Sequence, residues 1–303
     1  MSGTQSRANV EKTPSPGCKL FLPQAVASDG FTLLELMCIV AIIATLTGLL
    51  LPAIDRSKAR AQALTCLNYK KQMSYAWIMY SGENNDRLAY NLTLGGQPTL
   101  MSIPQTPNPN WVTNIMDWEL TTANTNLEFV NQSILAPYLN FSASMFHCPS
   151  DQSLSAVQKG AGWNSRVRSI SMNALVGNPG NLVSGGNNPL FPGYQQFVKE
   201  SDFRDASRIF VFLDEHPDSI NNKLANFTIS TAGQQWVDLP GSYHNGGGSF
   251  CFADGHAEIH HWLDSTTARP PLPDASKLPT PLSSTNRTDF DWIIGHAALV
   301  SQP

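Results

Sequence analysis

From Leu36 to Leu51 the chain runs for sixteen residues without a charge, and this run limits the fold more than any other feature. Counted from Phe31, the segment to Leu51 has twenty-one residues. As a helix rising about 1.5 Å per residue it spans about 32 Å, one bilayer core. It is apolar on every side rather than along one stripe, which fits a core helix of a soluble protein poorly. A secretory signal peptide would carry a small-residue cleavage site after the run, and here Pro52 and Ile54 follow instead. Glu35 stands at the edge of the run. A carboxylate there needs a partner, since at the centre of a span it would cost about 2.5–3.5 kcal/mol. Cleavage after Gly30 would supply one, the α-amino group of Phe31, four residues away.

Beyond Pro52 the pattern stays helical. Ala59, Ala63, Cys66, Leu67, Met73, Trp77 and Tyr80 recur at helical spacings, while Arg56, Lys58, Arg60, Lys70 and Lys71 occupy much of the rest. Ser81-Gly82 and the polar run Glu83 to Asp86 end it. One helix of about fifty residues is expected, apolar first and amphipathic second, with the second half packed on a sheet. The fold class is α+β, with an antiparallel sheet towards the C-terminus. Residues 208–213 and 248–252 read as buried strands, and 257–262 alternates as a third strand after the Asp254-Gly255 hairpin dipeptide. Prolines and Gly95-Gly96 mark an irregular excursion between 91 and 130, where Trp111 and Trp118 cap a core. The stretch 178–192 reads as a loop, 270–281 as extended, and 289–296 as a short helix. The resulting division is 1–30 as leader, 31–54 as membrane helix, 55–82 as its amphipathic continuation, and 83–303 as the globular domain.

Charged residues make up 14% of the 303, and the net charge is −4. A surface of uncharged polar residues with no basic patch offers nucleic acid no electrostatic footprint. Of five cysteines, Cys18 lies in the leader and Cys38 in the apolar run, leaving Cys66, Cys148 and Cys251. No pair has zinc-finger spacing, so a structural Cys-rich metal site is not expected. Cys66 and Cys148 form the candidate disulfide, joining the helix to the Phe-His-Cys-Pro segment; two separately buried thiols are the alternative.

The string Gly30-Phe31-Thr32-Leu33-Leu34-Glu35-Leu36, followed by the apolar run and Pro52, resembles the prepilin signal of type IV pilins and type II secretion pseudopilins. The resemblance implies that a membrane-embedded aspartic prepilin peptidase cuts after Gly30 and methylates Phe31. It also implies that Glu35, the fifth mature residue, neutralises a neighbouring subunit's amino terminus during assembly, and that Pro52 takes the family's twenty-second position. The thirty-residue leader is longer than the family's usual one. Three basic residues precede the span and Arg56, Lys58 and Arg60 follow it, so the positive-inside count decides nothing. The resemblance implies a single-pass protein of the bacterial inner membrane with its C-terminal domain in the periplasm or cell envelope. Its implied partners are the peptidase, other pilin-like subunits and the inner-membrane assembly machinery.

His244, nine further residues and then Asp254-Gly255 resemble the C-terminal H-X9-D-G signature of a large group of prepilin-type proteins of unknown role. Leu213 to Ile220 and Cys148-Pro149-Ser150-Asp151, with Cys66 upstream, look like other segments of that group. The expected function is a structural pilin or pseudopilin subunit; a membrane-anchored envelope protein binding polysaccharide or metal is the alternative. Asp214, Glu215, His216, His244 and Asp254 are candidate ligands for calcium or another divalent cation. A purely structural reading has Asp254 capping a turn, Gly255 supplying positive φ and His244 bonding across the sheet. Catalysis fails on context: no nucleophile elbow surrounds Ser242, His256 and His260 sit on a strand pattern, and no helix follows Gly246-Gly247-Gly248. The chain therefore does not read as an enzyme.

Overall fold

The computed structural model describes residues 30–91, 110–177, 190–220, 226–230, 235–273, 280–282 and 287–300, together with residues 179, 188 and 278. Residues 1–29 of the leader and most of the 91–110 and 178–192 stretches lie outside the described residues. The chain divides into two compact units, Met1–Pro52 and Ala53–Pro303.

Helix α1 spans Leu33–Glu83, 51 residues. Its start is a capping box. Thr32 precedes the first turn, its Oγ1 accepts from the Glu35 N–H at 3.2 Å, and the Glu35 carboxylate accepts from the Thr32 N–H at 2.9 Å. Thr-Leu-Leu-Glu is therefore a helix-start signal as well as part of the prepilin-like string. In the first unit every described residue is exposed, and α1 is long and apolar enough there to cross a membrane. Its two threonines keep their hydroxyls inside the helix: Thr45 donates to the Ile42 carbonyl and Thr47 to the Ile43 carbonyl. Pro52 lies inside α1, where its missing N–H leaves the Gly48 carbonyl without the usual donor.

In the second unit α1 turns amphipathic. Cys66, Lys70, Met73, Trp77 and Tyr80 are buried at alternating spacings of four and three, the stripe of a helix packed on a core. Lys70 was expected among the polar residues and is instead buried in this stripe. The stripe meets a five-stranded sheet of order β3-β1-β2-β5-β6. Its strands are β1 (Ile170–Asn173), β2 (Phe210–Asp214), β3 (Asn226–Phe227), β5 (Gly247–Phe252) and β6 (Ala257–His261). A separate antiparallel pair joins β4 (Gln235–Trp236) to β7 (Thr280–Pro281). Among the described residues three further α-helices are α2 (Glu128–Asn131), α3 (Ala156–Gly160) and α4 (Arg287–Ala297).

The sheet is mixed, not purely antiparallel: β1 and β3 run parallel. A parallel neighbour needs a crossover of at least a dozen residues, and the chain between Asn173 and Asn226 is long enough to make one. Strands β1, β2 and β5 are buried throughout, so both faces are covered. On one face Ser74 of α1 donates to the Phe252 carbonyl at 2.9 Å. On the other, Phe250 packs edge-to-face on Trp262 and on Trp292 of α4. Trp111 is fully buried against Phe212, as expected of a core aromatic, and Trp118 is nearly so. The β5–β6 hairpin turns at Gly255, whose φ is +94°. A Cβ there would also stand 2.9 Å from Cε1 of the exposed Tyr75 ring of α1, which would have to shift; the positive φ is what requires glycine.

Candidate functional site

Four segments distant in sequence bring polar side chains to one buried point between α1 and the sheet. Cys66 and Lys70, one turn apart on α1, face the same way. Asp214 ends β2, and Ser249 is its neighbour in β5. Cys148 follows the 3-10 turn Ala143–Phe146, its N–H fixed by Ser169 Oγ at 2.7 Å. His244 opens a two-residue hairpin. Its N–H and the Gly247 carbonyl are 3.0 Å apart, and Asn245 and Gly246 between them have φ of 53° and 84°, the Asn-Gly signature of a type I′ turn. Gly241 lies so close beneath Asp214 that a Cβ would come within 2.9 Å of the Asp214 Cβ.

Asp214 is the hub. Its Oδ1 takes the Lys70 ammonium at 2.7 Å, with both side chains fully buried. Its Oδ2 accepts from Ser249 Oγ at 2.6 Å and from the Ser249 N–H at 3.1 Å. His244 Nε2 stands 3.3 Å from the same oxygen and Cys66 Sγ 3.4 Å. Cys148 Sγ is 3.5 Å from His244 Nε2. One atom each from Cys66, Cys148, Asp214 and His244 thus lies within 4.8 Å of every other.

The electrostatics follow from this crowding. Burial works to raise the Asp214 carboxyl, but Lys70 and His244 outweigh it and hold the group well below the usual carboxylate range. Burial likewise works to discharge Lys70, and Asp214 with Cys66 raises it instead. Burial opposes the charge on His244, yet its bonds to Asp214 and Cys66 push it up to about 9. Of the two thiols, Cys66 is the one poised to lose a proton because Cys148 bonds to it. Burial, then Cys66, keep the proton on Cys148.

The sequence-derived ligand set is regrouped. Asp214 and His244 meet here, but Glu215, His216 and Asp254 do not join them. Glu215 follows Asp214 directly, and strand alternation turns it to the opposite face; burial there pushes its carboxyl up to about 7. His216 is satisfied locally, with Nδ1 accepting from the Asp218 N–H at 3.2 Å and Nε2 2.8 Å from the Arg269 carbonyl. Asp254 sits at the hairpin tip, half-exposed and 2.6 Å from His256 Nδ1. The H and the D-G of the signature therefore serve different places. The candidate disulfide is not formed: Cys66 and Cys148 are both thiols, brought together in the cluster. Lys70 and Ser249 were missed. For Lys70 the signal was its place four after Cys66 and three before Met73, on the apolar stripe.

A Cys-His-Asp relay requires the thiol and the carboxylate to engage different ring nitrogens. Here both face Nε2, and the cluster is sealed from solvent, so the geometry is not that of a thiol nucleophile. Two thiols, an imidazole and a carboxylate can instead share a cation. Calcium prefers six to eight oxygens, and this donor set does not fit it.

Of the residues in the prepilin-like string, Gly30 and Phe31 are exposed and lie just before α1. No family model, curated protein or solved structure matches the chain.

Proposed function

We propose that the chain is a membrane-anchored, pilin-like structural subunit, processed after Gly30 and assembling through the apolar half of α1. The observation that supports this reading is the division of α1. Its N-terminal part carries an all-round apolar surface with no buried residue, and its C-terminal part carries a buried stripe. A soluble domain gains nothing from the first part, whereas a subunit that inserts in lipid or in a filament core requires it. Glu35 suits the assembly role. The capping box holds its carboxylate on the Thr32 N–H, one residue from the amine that cleavage would free on Phe31. Mass spectrometry of the protein from native membranes tests the proposal. A mature chain beginning with N-methyl-Phe31 is the expected result; a chain retaining residues 1–30, or starting beyond Leu51, overturns it.

A further inference from the structure

We propose that Cys66, Cys148, Asp214 and His244 form a closed, four-coordinate site for a soft divalent cation, zinc by preference, that ties α1 to the sheet. Zinc bonds of about 2.3 Å to sulfur, about 2.0–2.1 Å to nitrogen and about 2.0–2.2 Å to oxygen, at tetrahedral angles, fix the distances between ligand atoms. They place S and N about 3.6 Å apart, N and O about 3.3 Å, and S and O about 3.5 Å. The structure has 3.5 Å from Cys148 Sγ to His244 Nε2, 3.3 Å from Nε2 to Asp214 Oδ2, and 3.4 Å from Oδ2 to Cys66 Sγ. Hydrogen bonds serve Cys66, whose Sγ also lies 3.1 Å from Ser249 Oγ, but account less well for the His244 ring. Nε2 carries at most one proton, yet it faces a thiol and a carboxylate at once. The other ring nitrogen, Nδ1, is buried without a hydrogen-bond partner among the described residues, so the ring is oriented from its Nε2 side alone.

Charge points the same way. Two thiolates, one carboxylate and a divalent cation sum to −1, and the Lys70 ammonium on the outer oxygen of Asp214 brings the buried centre to zero. Ser249 bonds to the inner oxygen and orients it, as outer-shell donors do around ligating carboxylates. Four protein ligands with no opening to solvent describe a structural ion rather than a catalytic one, which keeps an open position. Binding displaces into solvent the protons still held by the two sulfurs and by His244 Nε2, and no oxidant or reductant is involved.

The test is elemental analysis of the full chain, purified in detergent without chelator, beside Cys148→Ser and Cys251→Ser. Cys251 is a buried thiol of β5 outside the cluster and serves as the control. One zinc per chain in the wild type and in Cys251→Ser, with loss in Cys148→Ser, is the expected pattern. Because Cys148→Ser can misfold, the wild type is also stripped with chelator and titrated with cobalt(II). A saturable one-to-one rise in thiolate-to-cobalt charge-transfer absorption and tetrahedral ligand-field bands is expected. Three results would overturn the site: no cobalt spectrum from wild type whose thiols are both reduced, a Cys66–Cys148 disulfide in the protein as isolated, or unchanged zinc in Cys148→Ser.

Discussion

Lys70 gives the sharpest test of how the second unit is held together. Its ammonium is fully buried, 2.7 Å from Asp214 Oδ1, so Lys70→Met deletes the group's main compensating charge while keeping most of the side-chain volume. Removing one partner of a buried pair costs about 3–5 kcal/mol, because the other charge is left in a poor solvent. Domains are stable by about 5–15 kcal/mol in all, so the variant should lose a large share of its stability. With a urea dependence of about 2–3 kcal/mol per molar, its unfolding midpoint should fall by about 1–2.5 M. Urea titration of wild type and variant at matched metal content, followed by tryptophan fluorescence, reads this directly, since Trp77 and Trp111 are core residues. Adding Asp214→Asn to form a double-mutant cycle isolates the pair. The Lys70→Met loss should shrink by more than half once Asp214 is neutral. A single variant within about 0.5 kcal/mol of wild type, the range of ordinary surface changes, would refute the argument that this charge pair organises the site.

Glu35 serves both the capping box and the proposed assembly, and Glu35→Gln separates the two, because glutamine can accept the Thr32 N–H but carries no charge. Helix content by circular dichroism should stay at wild-type level while incorporation into filaments or subunit cross-linking is lost; normal incorporation would show that the charge is not needed. Gly255→Ala should destabilise the domain by about 1–3 kcal/mol, since its φ is +94° and the new methyl would meet Tyr75. A thermal melt unchanged from wild type would contradict both constraints.

Much of this layout is legible in the sequence wherever the signal is local. The uncharged run, the helical stripe to Tyr80 and the strands around Phe210 and Phe250 each announce themselves over five or more residues. The strand Ile170–Asn173 does not: four residues, half of them polar, carry too little pattern, and its burial is dictated by neighbours on both sides. The parallel β1–β3 pairing depends on two-residue contacts that no periodicity predicts. The site was half legible for a similar reason. Adjacent Asp214, Glu215 and His216 look like one cluster in a row of letters, but Glu215 turns to the opposite side and His216 lies past the end of the strand, bonded to its own neighbours. The true cluster joins residues some 180 positions apart, from Cys66 to Ser249, and their convergence is a property of the tertiary fold alone.

The back-bonded hydroxyls of Thr45 and Thr47 limit what the apolar segment can say to a neighbour. With both protons returned to their own carbonyls, a second helix lying alongside finds methyl groups and, apart from the weak Cys38 thiol, no side-chain donor to claim. Recognition between such segments would then turn on steric fit along their length, with Glu35 as the ionic cue to axial register at the N-terminal end.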